Sequence, residues 1–210
     1  MAPRPIFLLA DSQLLFWREQ EHLLLERVVT HERLKAAYVG ASNGDDPDFY
    51  GIFASAMEGV GIVDCAMIPS ALSEADLAFL NDADIIVLAG GDVDLGWRTF
   101  LTNKLNKHLV RRYLEGASLI GTSAGAVQLG LGYLNLVPFV IGAHEESDNW
   151  KATIQRLSSD TTAIGLPTGG GAIYHPNHTL EPLRHPLVKL SLSGGEVHQT
   201  LLTLKHCRSS

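Results

Sequence analysis

Basic residues are scarce in this chain. Lys and Arg number 16 against 23 Asp and Glu, a formal net charge of -7. No run of five or more cations occurs, so the polyanion-binding patch of a nucleic-acid binder is missing and nucleic acid is not an expected partner. Cysteine is scarcer still. Cys65 and Cys207 lie far apart and show no metal-type spacing, which excludes a disulfide framework and a Cys-based zinc site. Cys65 sits in an apolar run and reads as a reduced core thiol. No apolar stretch is long enough for a membrane span. The opening "MAPRPIFLLAD" has one arginine and too short an apolar run for a signal peptide. A reducing, cytoplasmic compartment with no membrane partner is therefore the expectation.

What is present is core material. Hydrophobic residues make up 46% and charged residues 19%, enough for a large buried core. The 210 residues suit a single α/β domain spanning 1–210. Short apolar runs at 5–11, 34–42, 62–68, 84–92 and 118–123 read as buried strands. Helical patterns at 18–29, 46–61, 73–83 and 103–116 separate them. Continuous apolar strands between helices predict a three-layer fold, a mostly parallel sheet covered by helices on both faces. The stretch 162–204 differs, with many turn signals and a Gly194-Gly195 hairpin turn. It predicts antiparallel strands added in the C-terminal third.

Chemistry concentrates where the fifth strand ends. In "SLIGTSAGAVQLG", Gly121, Ser123 and Gly125 match G-x-S-x-G, the nucleophile elbow between strand and helix. Small neighbours allow a strained serine backbone and a close strand–helix approach. The turn would lift Oγ clear and aim the Ala124 N–H at a developing oxyanion. A plain tight turn with a capping serine fits the same letters. A second oxyanion donor could come from Gly90 or Gly91 in "LAGGD", which also reads as an ordinary loop capped by Asp92. The loop "GASNGDDPDFY" (40–50) leaves a strand's carboxyl end and could line the cleft, although helix capping is its simpler role.

A serine nucleophile needs a base, and nine histidines are available. His144 ends the apolar run "VPFVIGAH" just after the elbow helix, so it can return to the same sheet edge. His22 and His108 fall in helical patterns and read as solvated. His175, His178 and His185 lie in a turn-rich region, where His175 and His178 lack a third metal ligand. "TGGGA" (168–172) lacks the setting of a phosphate loop and reads as a hairpin-like turn. Trp17 and Trp97 read as packing residues. No cofactor or metal site is read from the sequence.

Together, "VLAGGDV", "GTSAGAV", "LVPFVIGAH" and "AIGLPTGGG" resemble the serine peptidase family of aspartyl dipeptidase (peptidase E) and cyanophycinase. The resemblance spans roughly residues 34–175. It implies a flavodoxin-like fold, close to that of the class I glutamine amidotransferases. It further implies Ser123 as nucleophile, His144 as general base, and the Gly91 and Ala124 N–H groups as oxyanion hole. Members cleave bonds after aspartate, or β-aspartyl-arginine links, without metal. Two departures stand out. The family's triad acid lies between serine and histidine, but residues 124–143 contain no Asp or Glu. Glu145, Glu146 or Asp148 could substitute, although close neighbours in sequence rarely point the right way. The arginines that follow the histidine in the family are also absent. Only Lys151 and Arg156 are basic there, and Asp148 and Trp150 do not suit an aspartate pocket, so aspartate specificity does not carry over.

The expectation is a serine-type peptidase or amidohydrolase acting on a small peptide or amide. The alternative is a catalytically impaired relative that binds a small ligand or partner in the same cleft. An unrelated esterase with a late histidine, such as His175 or His198, is a third reading. Exposed edges and modest size permit a homodimer.

Overall fold

A computed structural model describes residues 3–31 and 33–203; Cys207 lies outside them. The first strand, β1 (Ile6–Leu9), is buried at every position. A two-residue ribbon follows, β2 (Arg18–Glu19) against β3 (His22–Leu23). Then come β4 (Lys35–Val39), α1 (Pro47–Glu58), β5 (Asp64–Ile68), α2 (Glu74–Asp82) and β6 (Ile85–Leu88). Two helices, α3 (Val93–Thr102) and α4 (Leu105–Leu114), lead to β7 (Ser118–Thr122) and the short α5 (Ala124–Leu129). The rest is β8 (Val140–Ala143), α6 (Lys151–Gln155), β9 (Thr162–Leu166), β10 (Gly171–Tyr174), β11 (Leu180–Leu183), β12 (Leu187–Ser193) and β13 (Glu196–Leu202).

The main sheet has seven strands in the order β11-β10-β1-β7-β6-β4-β5. β1, β7, β6, β4 and β5 run parallel, and β10 and β11 close one edge antiparallel. A second sheet runs β13-β12-β9-β8, with β8 and β9 parallel and the β12–β13 hairpin antiparallel. Its turn is the Gly194-Gly195 pair, both at positive φ as such a turn requires. This is an α/β fold of flavodoxin-like type with antiparallel C-terminal strands.

Local chemistry sets the helix starts. Asp46 caps α1 by accepting from Asp48 N–H, with Pro47 preset at the first helical position. Ser73 and Asp76 form a capping box on α2, and Asp92 accepts from Leu95 N–H at α3. One hydrophobic cluster joins both sheets, with Leu8, Ile86 and Leu119 from the main sheet packed with Ile141, Ile164 and Leu187 from the second. A further cluster under α1 contains Phe7, Tyr38, Phe53 and Met57.

The structure corrects three expectations. Residues 18–29 are not a helix; they form the β2–β3 ribbon and a 3-10 turn over Leu24–Val28. Leu24, Leu25 and Val28 are still buried, so their spacing recorded burial on one face, which a 3-10 turn also provides. The run ending at His144 does not return to the main sheet, because β8 pairs with β9 in the second sheet. "TGGGA" does not turn a hairpin either. β9 and β10 belong to different sheets, and the turn carries the chain from one to the other.

Candidate active site

The carboxyl ends of parallel strands are where open α/β sheets build ligand sites. Four such ends meet here, and their residues line a pocket of about 260 Å³. β1 contributes Ala10, Asp11 and Ser12; β4 leads to Asn43; β6 leads to Gly90 and Gly91; β7 leads to Ser123.

Ser123 stands between β7 and α5 at φ 48°, ψ -111°, a backbone region that L-residues avoid unless the surroundings impose it. Its N–H donates to the Leu9 carbonyl of β1 (2.8 Å). Crowding explains the glycines beside it. A Cβ on Gly121 would lie 2.5 Å from Ala126 N. The side chain of Ser123 makes no helix-capping hydrogen bond. Instead Oγ lies 2.7 Å from Nε2 of His144.

His144 reaches this position from the second sheet. It follows β8 directly, sits at φ 45°, and its N–H donates to Leu166 O of β9 (2.8 Å). The serine–histidine pair therefore spans the two sheets, and α5, buried at all six positions, fills the space between them.

Among the described residues no acceptor takes the N–H of Ala124 or of Gly91. Ala124 opens α5, where the first amides lack helical partners. Gly91 has φ 130°, and a Cβ there would lie 2.1 Å from the Ser42 carbonyl oxygen. Asp92 caps α3, as the ordinary-loop reading of "LAGGD" has it, and Gly90 and Gly91 line the pocket.

The three acids after His144 have separate positions. Glu145 is turned away, accepting from Thr153 N–H and Oγ1–H at 2.9 Å each. Asp148 lines a shallow surface groove beside Lys151. Glu146 accepts from Thr168 N–H (2.9 Å). Partial burial pushes its carboxyl up, but the Thr168 hydrogen bond and the nearby His144 ring together hold it below its ordinary value. Among the described residues no carboxylate comes within hydrogen-bonding reach of either His144 ring nitrogen. Trp150 is buried in the core of the second sheet, and Arg156 Nη2 donates to Ile141 O. Neither lines the pocket.

Several contributors were not singled out from the sequence. Asp11 accepts from Gln13 N–H (2.9 Å) and Gly169 N–H (2.7 Å), which pins the turn between the two sheets beside the site. Asn43 Nδ2 donates to the Tyr38 hydroxyl (2.8 Å). Burial pushes the Tyr38 hydroxyl up from its ordinary value. Gln128, fully buried on α5, donates to Ser42 Oγ and Val93 O at 3.0 Å each, fastening α5 to the turn after β4 and to the start of α3. Gly96 leaves the room this needs, since a Cβ there would lie 2.1 Å from Ser42 Oγ. Asn43 lies in the 40–50 loop read as a candidate cleft lining, and Asp11 lies just beyond a strand end; Tyr38 in β4, Gly96 in α3 and Gln128 in α5 carried no such signal. The remaining histidines lie elsewhere: His175 Nε2 meets Glu181 and His178 Nδ1 meets the Tyr174 hydroxyl, both at 2.7 Å. His22 pairs with Glu26, and His108 with Asn81. His198 lies on the exposed strand β13.

No protein-family model matches the chain, and no curated protein sequence does. Solved structures do match in fold. A peptidase from an acI-B1 Actinobacterium superposes with a TM-score of 0.72 at 14% identity, over 97% of this chain and 96% of that one. A candidate peptidase E protein from Listeria monocytogenes EGD-e superposes with a TM-score of 0.64 at 16% identity, over 96% of this chain and all of the other. The chain thus has the fold of peptidase E-like structures.

Proposed function

We propose that this chain is a serine-type peptidase or amidohydrolase that cleaves a small peptide or amide through an acyl-enzyme on Ser123. The observation that carries the reading is the 2.7 Å approach of Ser123 Oγ to His144 Nε2 from a strained turn at the sheet's carboxyl edge. The peptidase names of the two structural neighbours agree with it.

Ser123 Oγ attacks the substrate carbonyl carbon while its proton passes to His144 Nε2. The carbonyl oxygen becomes an oxyanion between the Gly91 and Ala124 N–H groups, which have no acceptor to leave among the described residues. The C–N bond then breaks, His144 returns the proton to the departing amine, and the acyl group stays on Ser123 as an ester. Water repeats the sequence, giving its proton to His144 and releasing the acid and the free serine. The bond from its N–H to Leu166 O holds the His144 backbone at this place, and Glu146 supplies negative potential at a distance.

That no carboxylate among the described residues reaches the His144 ring favours a second reading, a relative that binds a ligand in the cleft without turning it over. Fluorophosphonate labelling separates the two. The hydrolase reading expects labelling of the native chain that disappears in Ser123→Ala and in His144→Ala. A folded native chain that does not label sinks it.

A further inference from the structure

The pocket beside Ser123 is apolar over most of its wall. Leu15, Phe53 and Val87 form its floor and are buried at 3%, 0% and 0% exposure. Phe49 and Ile52, three residues apart on one face of α1, line it too but are 48% and 37% exposed. Neither belongs to a hydrophobic cluster of the core. Large apolar side chains left open to water at the edge of a cleft mark a surface that a ligand covers.

Charge in the pocket points the same way. Among the described residues its ionisable side chains are Asp11, His144 and Tyr38, and no lysine or arginine lines it. Both Asp11 oxygens accept backbone N–H bonds, from Gln13 (2.9 Å) and Gly169 (2.7 Å), so the carboxylate is held at the pocket wall. A substrate carboxylate would lose water against phenylalanine and leucine, find no cation, and meet a second anion. A phenyl or branched aliphatic group would lose nothing and cover Phe49 and Ile52. At about 260 Å³ the space suits one side chain rather than a length of peptide.

We infer that this pocket selects substrates with an apolar or aromatic side chain on the acyl half, and rejects acidic ones. The assignment to the acyl half rests on the hydrolase reading, because that half stays on Ser123 while the amine departs.

The test uses p-nitrophenyl esters of N-acetyl-phenylalanine, N-acetyl-alanine and N-acetyl-aspartate, with rates on Ser123→Ala subtracted. The leaving group is constant, so only the acyl side chain varies. The expected order of kcat/KM is Phe, then Ala, then Asp, with about tenfold or more between the first two. Phe49→Arg replaces an exposed side chain, and so should fold; it should lower the Phe rate and raise the Asp rate. Equal rates across the series, or aspartate fastest on the native chain, overturn the inference. Calorimetric binding of N-acetyl-phenylalanine amide and N-acetyl-aspartate amide to Ser123→Ala reads the pocket without catalysis. Preferential binding of the Phe amide with no ester turned over keeps the pocket assignment and removes the hydrolase reading. Equal or reversed binding overturns the pocket assignment whatever the ester result.

Discussion

A β-carbon on Gly125 would lie 2.2 Å from the carbonyl oxygen of Leu88. The obstructing atom is backbone in the middle of the main sheet, paired on both sides by β4 and β7. It cannot swing away as a side-chain end could. α5 is therefore pressed against β6 at this point, and that closeness puts Ser123 at the carboxyl edge. Gly125→Ala should lower stability by about 3 kcal/mol, the upper end of overpacking costs. The midpoint of urea unfolding measures it, and an unchanged midpoint would contradict the close approach.

Gly51 is the counterexample. It lies inside α1 and a Cβ there meets nothing within 4 Å. Gly51→Ala should raise stability by about 0.5–1 kcal/mol, because the unfolded chain loses freedom that the helix does not need. The same urea titration shows the midpoint moving the opposite way.

Glu146 and His144 are near each other without sharing a hydrogen bond, and the His144 ring helps hold the Glu146 carboxyl below its ordinary value. An acid that holds the histidine directly is worth about 10⁴ in rate. A charge acting at a distance in a partly wet site is worth about 1 kcal/mol, roughly tenfold or less. Glu146→Gln should therefore slow fluorophosphonate labelling less than about tenfold, while His144→Ala abolishes it. A loss in the thousands for Glu146→Gln would mean the carboxylate closes onto Nδ1 during the reaction.

Cys65 should be slow toward alkylation at neutral pH. Burial pushes its thiol up to about 11, with Asp64 adding to the effect, so little thiolate exists near pH 8. In a Cys207→Ser background, iodoacetamide should modify the native chain slowly at pH 8 and faster as pH approaches 11. Fast modification at pH 8 would show a more open site than the half-buried one seen here.

Glu181 joins β11 to the 3-10 turn before β4, meeting Arg27 (2.8 Å) and His175 (2.7 Å). Burial pushes its carboxyl up, but the bonds from Arg27 and His175 outweigh this and hold it below the ordinary 4.5. A carboxyl with a lowered folded value stabilises the chain above 4.5, and that contribution fades as pH falls through the folded value. These side chains are over a third exposed in part, so solvent limits the effect to about 1 kcal/mol or less. Glu181→Gln should lower the thermal midpoint at pH 7, with the difference from the native chain shrinking below pH 4.5. A constant difference across that range would deny the ionised partner.

Some of this molecule is readable from neighbouring residues alone. The apolar runs of β1, β4, β6 and β7, the caps Asp46 and Ser73, the Gly194-Gly195 turn and the glycines around Ser123 are local matters of burial and backbone freedom. Such physics leaves a mark within a few residues, so the α/β order and the tight strand–helix turn at Ser123 could be anticipated. Partner choice leaves no such mark. "VIGA" is equally apolar whether it joins the main sheet or pairs with β9, and only the packed chain decides that His144 arrives from the second sheet. The same holds for residues 18–29, whose buried leucines suit a helix or a 3-10 turn until β1 and α1 shape the space around them. The pocket is the extreme case. Asp11, Asn43, Phe49 and Gly91 come from loops and a helix scattered along the chain, and their shared apolar wall exists only because four strands end side by side.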